Sequence, residues 1–308
     1  MRRIDNTESD KWLKVAITGG TGTGKTWFGA SGPKPLILLS EYQGKASIDS
    51  YLATYPKRNK PAVLWMEHAQ NYWDVLRALG QPKDKPLEIK STIFENDQPV
   101  GEETIMTLDE WPETIVLDSL TDALDLVRQK LWKTAKVPVN QYNLPDETFS
   151  HRRELLDRGA KFIRAFRNLP FHVVFLCLME EKDIYRNKKN IGVRQSPLVP
   201  HKDLAGVIAS SVNVCGLSYR GWGQNGPEYG ITTEGMEGQP TKRMAPLRPT
   251  EVSDFSAWVD MVRGFWNGPL PEPPIRSEEL EAVLMESPEQ PQPPKAKKEQ
   301  AHGAHQSQ

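Results

Sequence analysis

The residues with the clearest capacity for chemistry form a glycine-rich run near the start of the chain. Residues 19–26 match the pattern G-x-x-x-x-G-K-[ST] in full. Glycines allow successive backbone N–H groups to curl around a polyphosphate, and a helix that starts behind them adds a favourable dipole. The pattern directs Lys25 to the β- and γ-phosphates and Thr26 to Mg²⁺. We therefore predict a site for ATP and Mg²⁺ formed by Gly19, Gly20, Thr21, Gly22, Thr23, Gly24, Lys25 and Thr26.

Two acidic residues at strand ends are candidates for the metal and for the attacking water. Asp118 ends the predicted strand 114–118, and Glu41 follows the predicted strand 35–40. In a parallel sheet the strands' carboxyl ends gather at the edge that also carries a glycine-rich phosphate loop. Asp118 is predicted to hold the water shell of Mg²⁺, and Glu41 to orient the attacking water. The structural alternatives are a helix-capping role for Asp118 and an exposed loop position for Glu41.

A second pair of acids competes for the metal role. Glu180 and Glu181 follow the apolar run 173–178. Asp118 is preferred because Ser119 and a clean helix follow its strand at once, whereas Glu180 opens a polar segment.

These residues require a scaffold in which strands and helices alternate. Apolar runs predict strands over 13–18, 35–40, 62–66, 114–118, 171–178, 211–219 and 228–233. Helices are predicted from residue 25 and over 72–79, 119–136, 147–168 and 252–266, with a hairpin insertion at about 87–108. Buried strands separated by helices predict an α/β fold with a mostly parallel, doubly wound sheet and helices on both faces.

Composition limits the class of protein and its surroundings. The chain has 308 residues, with 39 Lys and Arg against 40 Asp and Glu. This near-neutral charge excludes a globally basic histone-like binder but permits a local basic surface. No apolar run approaches the roughly 20 residues that cross a bilayer, and residues 1–8 lack the apolar core of a secretory signal. With Cys177 and Cys215 expected to be buried and reduced, the predicted location is the cytoplasm, that of the host cell if the protein is phage-encoded.

The chain divides into one large domain and two flanking segments. Residues 1–11 are an N-terminal arm, and residues 12–268 form the core domain. Residues 269–308 contain eight prolines and no Phe, Tyr or Trp, so a disordered tail is predicted there. Within this tail, residues 277–285 carry an apolar stripe behind a serine N-cap, which suits folding onto a protein partner.

The order of the motifs resembles a RecA-like core, and more narrowly the phage AAA/RecA-like P-loop nucleotide-binding proteins. Some of those proteins are single-strand annealing or recombination ATPases. In a RecA-like core the P-loop helix is followed by a strand ending in a catalytic glutamate, then by a strand ending in Asp-Ser, as with Glu41 and Asp118-Ser119 here. The resemblance covers about residues 12–266 and implies a RecA-like P-loop NTPase fold, ATP hydrolysis and homo-oligomers. The chain departs from the pattern over 178–181, where RecA-like proteins usually carry an amide and this chain carries Glu180.

Basic residues after this strand are candidates for binding single-stranded DNA. The segment 182–202 is predicted to be a polar loop with one acid, and the corresponding RecA-like loop contacts DNA. Basic side chains neutralise backbone phosphates and an aromatic ring stacks on a base. A solvated mobile loop is the alternative. The predicted nucleic-acid residues are Lys182, Tyr185, Arg186, Lys188, Lys189 and Arg194.

The resemblance also implies a cation supplied by a neighbouring subunit. RecA-like oligomers often present a Lys or Arg from the region after the late hairpin to the neighbour's γ-phosphate. Arg243, or Lys242, is predicted for that role, with surface charge as the alternative.

The sequence thus favours a Mg²⁺-dependent ATPase that acts on single-stranded DNA in phage-type recombination, annealing or replication. Two alternatives stay open: a P-loop kinase of a small molecule or nucleotide, and a nucleotide-gated interaction protein without hydrolysis. A kinase would need an arginine-rich lid, for which the segment 182–202 is a candidate.

Overall fold

The computed structural model describes residues 12–267, except residues 59, 96–97, 143, 187–188, 224–225, 236–240 and 245. The predicted N-terminal arm, and the predicted tail with its segment 277–285, lie outside the described residues. In chain order the elements are β1 (Lys14–Gly19), α1 (Lys25–Ala30), β2 (Pro35–Leu39), α2 (Tyr42–Thr54), β3 (Ala62–Trp65), α3 (Ala69–Leu79), β4 (Leu87–Glu95), β5 (Gln98–Leu108), β6 (Thr114–Asp118), α4 (Leu120–Ala135), α5 (Phe149–Arg167), β7 (His172–Arg186), β8 (Lys189–Pro197), α6 (Asp203–Ser211), β9 (Val214–Gly223), β10 (Gly226–Thr232), β11 (Thr250–Val252) and α7 (Phe255–Asn267).

The central sheet is mixed but mostly parallel. Its strands lie in the order β11-β10-β9-β1-β7-β6-β2-β3, and β8 pairs with the far end of β7. The contacts from β9 through to β3 are all parallel, whereas β10, β11 and β8 add antiparallel pairs. The predicted RecA-like α/β fold is therefore confirmed. β7 lies between β1, which leads into the glycine-rich loop, and β6, which ends at Asp118.

Helices cover both faces of this sheet because alternate strand residues point to opposite sides. One apolar core contains Ala16, Leu38 and Phe175 with residues of α3, α4, α5 and α6. The other contains Ile17, Ile37 and residues of α1, α2 and α7. Continuous apolar strands of this kind are typical of a sheet buried on both sides.

The β4–β5 and β7–β8 hairpins extend beyond the layered core. β4 and β5 pair as a separate two-stranded sheet across the segment 87–108. The other hairpin corrects a prediction: the segment after residue 182 is not a polar loop but the end of β7 paired with β8 up to Pro197. Cross-strand hydrogen bonds pair the backbone N–H and C=O groups of this segment. Its side chains can be polar because both faces of an antiparallel hairpin can lie in solvent.

Further details bear on the predictions. The sequence did not predict helix α2, and the strand expected over 211–219 starts at Val214, after α6. Cys177 and Cys215 are free and buried as predicted, and burial raises the pKa of the Cys177 thiol to about 12. None of the helices in the described part of the chain is long and apolar enough to span a bilayer.

Candidate functional site

A cleft of about 510 Å³ lies at the carboxyl edge of the parallel strands. One end is formed by the glycine-rich loop after β1, by Glu41 after β2, by Asp118 at the end of β6, and by Leu178 in β7. The register explains this grouping, since Gly19 is level with Leu178 and Leu39 with Asp118. The lining at this end is Thr21, Gly22, Gly24, Lys25, Thr26, Glu41, Asp118 and Leu178.

The glycine-rich loop adopts backbone geometry that only glycine accepts without strain. Gly22 and Gly24 have φ of 77° and 86°, in the left-handed region. A Cβ on Gly24 would also lie 3.1 Å from the ring of Tyr229. The loop is anchored to β9 by Thr23, whose Oγ1 lies 2.7 Å from Ser218 Oγ and donates to Gly20 O at 2.8 Å. The two glycines and the Thr23–Ser218 contact therefore fix the curvature of the loop.

The amine of Lys25 lies across the loop. Lys25 Nζ donates to Gly19 O at 2.8 Å and to Gly20 O at 2.7 Å. Burial lowers the pKa of this amine, and the nearby carboxyl groups of Asp118 and Glu41 partly oppose that shift. A partly desolvated cation interacts strongly with a phosphate anion, because the local dielectric constant is low.

The hydroxyl and carboxyl groups predicted to bind the metal are in direct contact. Thr26 Oγ1 donates to Asp118 Oδ2 at 2.8 Å. Burial raises the pKa of Asp118, while the hydrogen bond from Thr26 and the charge of Lys25 act in the opposite direction. The competing acid Glu180 instead forms an ion pair with Lys182 at 2.9 Å and is absent from the cleft lining.

This donor set fits Mg²⁺. The ion prefers oxygen ligands and is usually held by one or two carboxylates together with substrate phosphates and waters. The described residues contain no cluster of three or more His, Cys, Asp or Glu that would form an all-protein cage. Thr26 and Asp118 would therefore hold the ion together with phosphate oxygens.

Glu41 occupies the N-cap position of α2, beside the Asp118 strand end. Burial raises the pKa of Glu41 to about 7, and a hydrogen bond that the protonated Glu41 carboxyl group donates to Asp122 acts in the same direction. Asp122 in turn accepts a hydrogen bond from Ser119 Oγ at 2.5 Å. The structure thus brings Lys25, Thr26, Glu41 and Asp118 together, and gives Glu41 a pKa suited to proton exchange near neutral pH.

The two cations predicted to act on a neighbouring subunit lie away from this cleft. Arg243 is exposed and forms an ion pair with Glu234 at 3.4 Å. Lys242 Nζ donates to Val212 O at 2.7 Å, and its backbone pairs with Cys215. Neither residue lines the cleft of its own chain.

Part of the predicted nucleic-acid set lies on the β7–β8 hairpin. Lys182 and Arg194 are exposed and opposite each other in the ladder. Lys188, and the side chains of Tyr185, Arg186 and Lys189, lie outside the described residues.

Sequence reasoning missed a second set of residues on the β9–β10 hairpin. Trp222 is 80% exposed, and the guanidinium carbon of Arg220 lies 5.5 Å from its ring centroid. Arg220 is also 5.9 Å from the ring of Tyr229, the residue opposite it in the ladder. The period-two order Ser218, Arg220, Trp222 was the available signal, because alternate residues of a strand share a face.

Two solved structures are similar to part of this chain. A KaiC-like protein from the hyperthermophilic archaeon Pyrococcus horikoshii is 13% identical, with 71% of this chain and 77% of that chain covered and a TM-score of 0.30. An ATPase from the type III secretion system of pathogenic bacteria is 12% identical, with a TM-score of 0.31; 69% of this chain aligns, spanning 52% of that ATPase. No curated protein matches the sequence. A family model described as "AAA domain" matches residues 11–243, and the chain belongs to that family of P-loop NTPases.

Proposed function

We propose that the protein is a Mg²⁺-dependent ATPase whose turnover is coupled to single-stranded DNA, in recombination, annealing or replication of the phage type. The observation that carries the catalytic part is the convergence of Lys25, Thr26, Asp118 and Glu41 on one cleft beside a preformed phosphate loop. The P-loop and the AAA family support nucleotide hydrolysis as the reaction class.

The chain's own residues account for the steps of hydrolysis. Backbone N–H groups of the loop and the amine of Lys25 bind the phosphates and stabilise the charge that develops on the leaving oxygen. Glu41, when deprotonated, accepts a proton from water as the water oxygen attacks the γ-phosphorus. The bond between the γ-phosphorus and the bridging oxygen breaks, so the products are ADP and inorganic phosphate. Mg²⁺, when bound, supplies further neutralisation of phosphate charge.

A homo-oligomer completes this proposal. Arg243 is exposed and outside its own cleft, as a residue that reaches a neighbour's γ-phosphate must be. A positive charge supplied by the neighbour makes hydrolysis depend on assembly.

The nucleic-acid part rests on two hairpins that leave the sheet at the same edge. β7 continues beyond Leu178 and β9 beyond Leu217, the last residues at which each pairs with β1. They carry exposed cations, Lys182 and Arg194 on one hairpin and Arg220 on the other, with Trp222 beside Arg220. Cations next to a stackable ring suit single strands, whose bases are free to stack. Tyr229 lies opposite Arg220 in the ladder and also lines the cleft, so it connects this surface to the phosphate loop.

Oligonucleotide binding tests this assignment. Labelled single-stranded DNA should bind the wild type with an affinity that falls as salt rises. Changing Lys182 and Arg194 together to Ala should weaken binding at least tenfold and reduce the salt slope by about 0.7 for each DNA phosphate that these cations no longer neutralise. Trp222→Ala should weaken binding with little effect on the slope, because stacking releases no counterions.

A matched control uses two exposed cations elsewhere. Changing Arg152 and Arg153 of α5 to Ala alters net charge equally and should leave affinity within about twofold. Equal weakening by both double variants would show a general charge effect and contradict the hairpin assignment.

A further inference from the structure

The loop between α4 and α5 presents apolar side chains to solvent. Each of four side chains there is between 60% and 83% exposed: Val139, Tyr142, Leu144 and Phe149. Together they present on the order of 400 Å² of apolar surface, which is the size of patch that often marks an interaction site on a soluble protein. Single exposed apolar residues are common, but a group of this kind in one loop indicates a surface that another molecule covers.

Hydrogen bonds hold this loop in a defined shape. Asn140 N donates to Leu144 O, and Asp146 N donates to Pro138 O, both at 2.8 Å. Asn140 Oδ1 also accepts from Tyr142 N at 2.8 Å and from Leu144 N at 3.1 Å. A loop that is already ordered loses little conformational entropy when a partner covers it, so more of the burial energy is available for binding.

The exposed charges around the loop are mostly positive. Asp146 is the one exposed acid among the described residues of 133–153. Exposed cations flank the loop at the end of α4 and in α5, and they are Lys133, Lys136, Arg152 and Arg153. Like charges facing each other disfavour a contact of this surface with the same surface of a second copy. The loop instead suits a surface that combines apolar residues with acids.

The β4–β5 hairpin carries that complementary combination. Its exposed apolar side chains are Ile93, Val100 and Ile105, with exposures of 37–53%. The exposed charged residues of the hairpin, as far as the structure describes it, are Glu88, Glu95, Glu102, Glu103 and Lys90. Glu102 forms an ion pair with Arg77 of α3. The hairpin therefore presents apolar residues among acids, whereas the α4–α5 loop presents apolar residues among cations.

We infer that the α4–α5 loop of one copy binds the β4–β5 hairpin of the next copy, so that the chain assembles head to tail. The inference rests on the homo-oligomer of the proposed function and adds which surfaces meet. Apolar side chains supply the buried centre of the contact, and opposite charges at its rim set the orientation. Because the two surfaces differ, every contact leaves a loop and a hairpin open for further copies, which gives a ring or a filament.

The area of the loop surface agrees with a stable contact of this kind. A standard interface buries about 800 Å² per partner, a little over half of it apolar, which is close to the apolar area of the loop. The contact proposed for Arg243 also joins unlike surfaces, because Arg243 lies outside the cleft that it would reach in a neighbour. Both contacts are therefore compatible with head-to-tail assembly.

Sedimentation velocity of two surface variants and of their mixture tests this pairing. Tyr142→Ala with Phe149→Ala removes the aromatic part of the loop surface, and Val100→Lys with Ile105→Lys places cations on the hairpin surface. All four positions are exposed, so both variants should fold. Each variant alone should associate at least tenfold more weakly than the wild type. An equimolar mixture should form one-to-one heterodimers, because each variant keeps the surface that the other has lost.

Val193→Lys with Leu198→Lys is the matched control, since it also places two cations at exposed apolar positions, outside both surfaces. It should assemble as the wild type does. A mixture that stays monomeric would overturn the pairing of loop with hairpin, as would wild-type assembly by either surface variant alone. If the wild type stayed monomeric with ATP and Mg²⁺, the homo-oligomer of the proposed function would fail together with this inference.

Discussion

At the phosphate end of the cleft, one cation and two carboxyl groups are partly removed from solvent together. Burial lowers the pKa of Lys25 and raises those of Asp118 and Glu41, so burial disfavours the charged form of all three groups. Such opposed shifts are typical of sites arranged for ligand charge rather than for internal ion pairing. Glu41 is the group whose proton can exchange near neutral pH.

This assignment predicts a pH dependence of catalysis. Below about pH 7 the Glu41 carboxyl group holds its proton and cannot accept one from water; above it, the carboxylate can. The value of kcat/KM for ATP should therefore rise between pH 6 and pH 8, with a midpoint near 7. Glu41→Gln should lower kcat at least a hundredfold, retain ATP binding and remove this rise.

Asp109→Asn is a suitable control, because it changes one exposed carboxyl group outside the cleft. It should keep the wild-type profile. A Glu41→Gln variant with full turnover and an unchanged pH profile would exclude Glu41 as the base.

Among the individual site residues, the sequence predicted those that belong to a contiguous motif or lie at the end of an apolar strand. Lys25 and Thr26 follow from the glycine pattern, and Asp118 and Glu41 from the rule that parallel strands end at one edge. Trp222 was not predicted, because the strand expected over 211–219 ends before it. Its place beside Arg220 depends on the register of β9 with β10.

Among the elements, buried apolar strands were predictable and polar ones were not. β1, β2 and β6 are continuous apolar runs, so their burial on both faces follows from composition. The β7–β8 hairpin carries polar residues on both faces and resembles a loop in sequence. α2 contains Gly44 and several small polar residues, which weakens its helical pattern.

One buried carboxyl group helps to attach the β4–β5 hairpin to α3, beside the apolar packing of Leu87 and Ile89. The side chain of Asp74 is 2% exposed, and its Oδ2 accepts from Thr92 N and Thr92 Oγ1, both at 2.9 Å. Its Oδ1 pairs with Arg77 at 2.5 Å. Asp74→Ala leaves the Thr92 N–H unpaired, so it should lower the free energy of unfolding by about 3 kcal/mol and increase amide hydrogen exchange over 87–108.

Glu102→Ala is the matched comparison, because Glu102 is the exposed partner of the same Arg77. It should cost less than about 1 kcal/mol. Similar costs for the two variants, measured by urea denaturation, would show that Asp74 does not secure the hairpin.

For the whole molecule, the near-neutral net charge says little about where individual charges lie. The 39 basic and 40 acidic residues nearly cancel, yet exposed cations lie on the two projecting hairpins while Glu41 and Asp118 lie in the cleft. The hairpin cations and the cleft share the carboxyl edge of the sheet. A strand bound on the hairpins would therefore lie close to the cleft, because Tyr229 lines the cleft and its ring lies 5.9 Å from Arg220.

The most direct test of this account is the steady-state rate of ATP hydrolysis with and without single-stranded DNA, with the oligomeric state measured in the same samples. We predict Mg²⁺-dependent turnover that single-stranded DNA stimulates at least several-fold, in an assembled form. Lys25→Ala should abolish turnover while keeping the wild-type circular dichroism spectrum, and Lys45→Ala, an exposed lysine on α2, should not. Turnover that is unchanged by Lys25→Ala, or that is the same with and without DNA, would contradict the central claim.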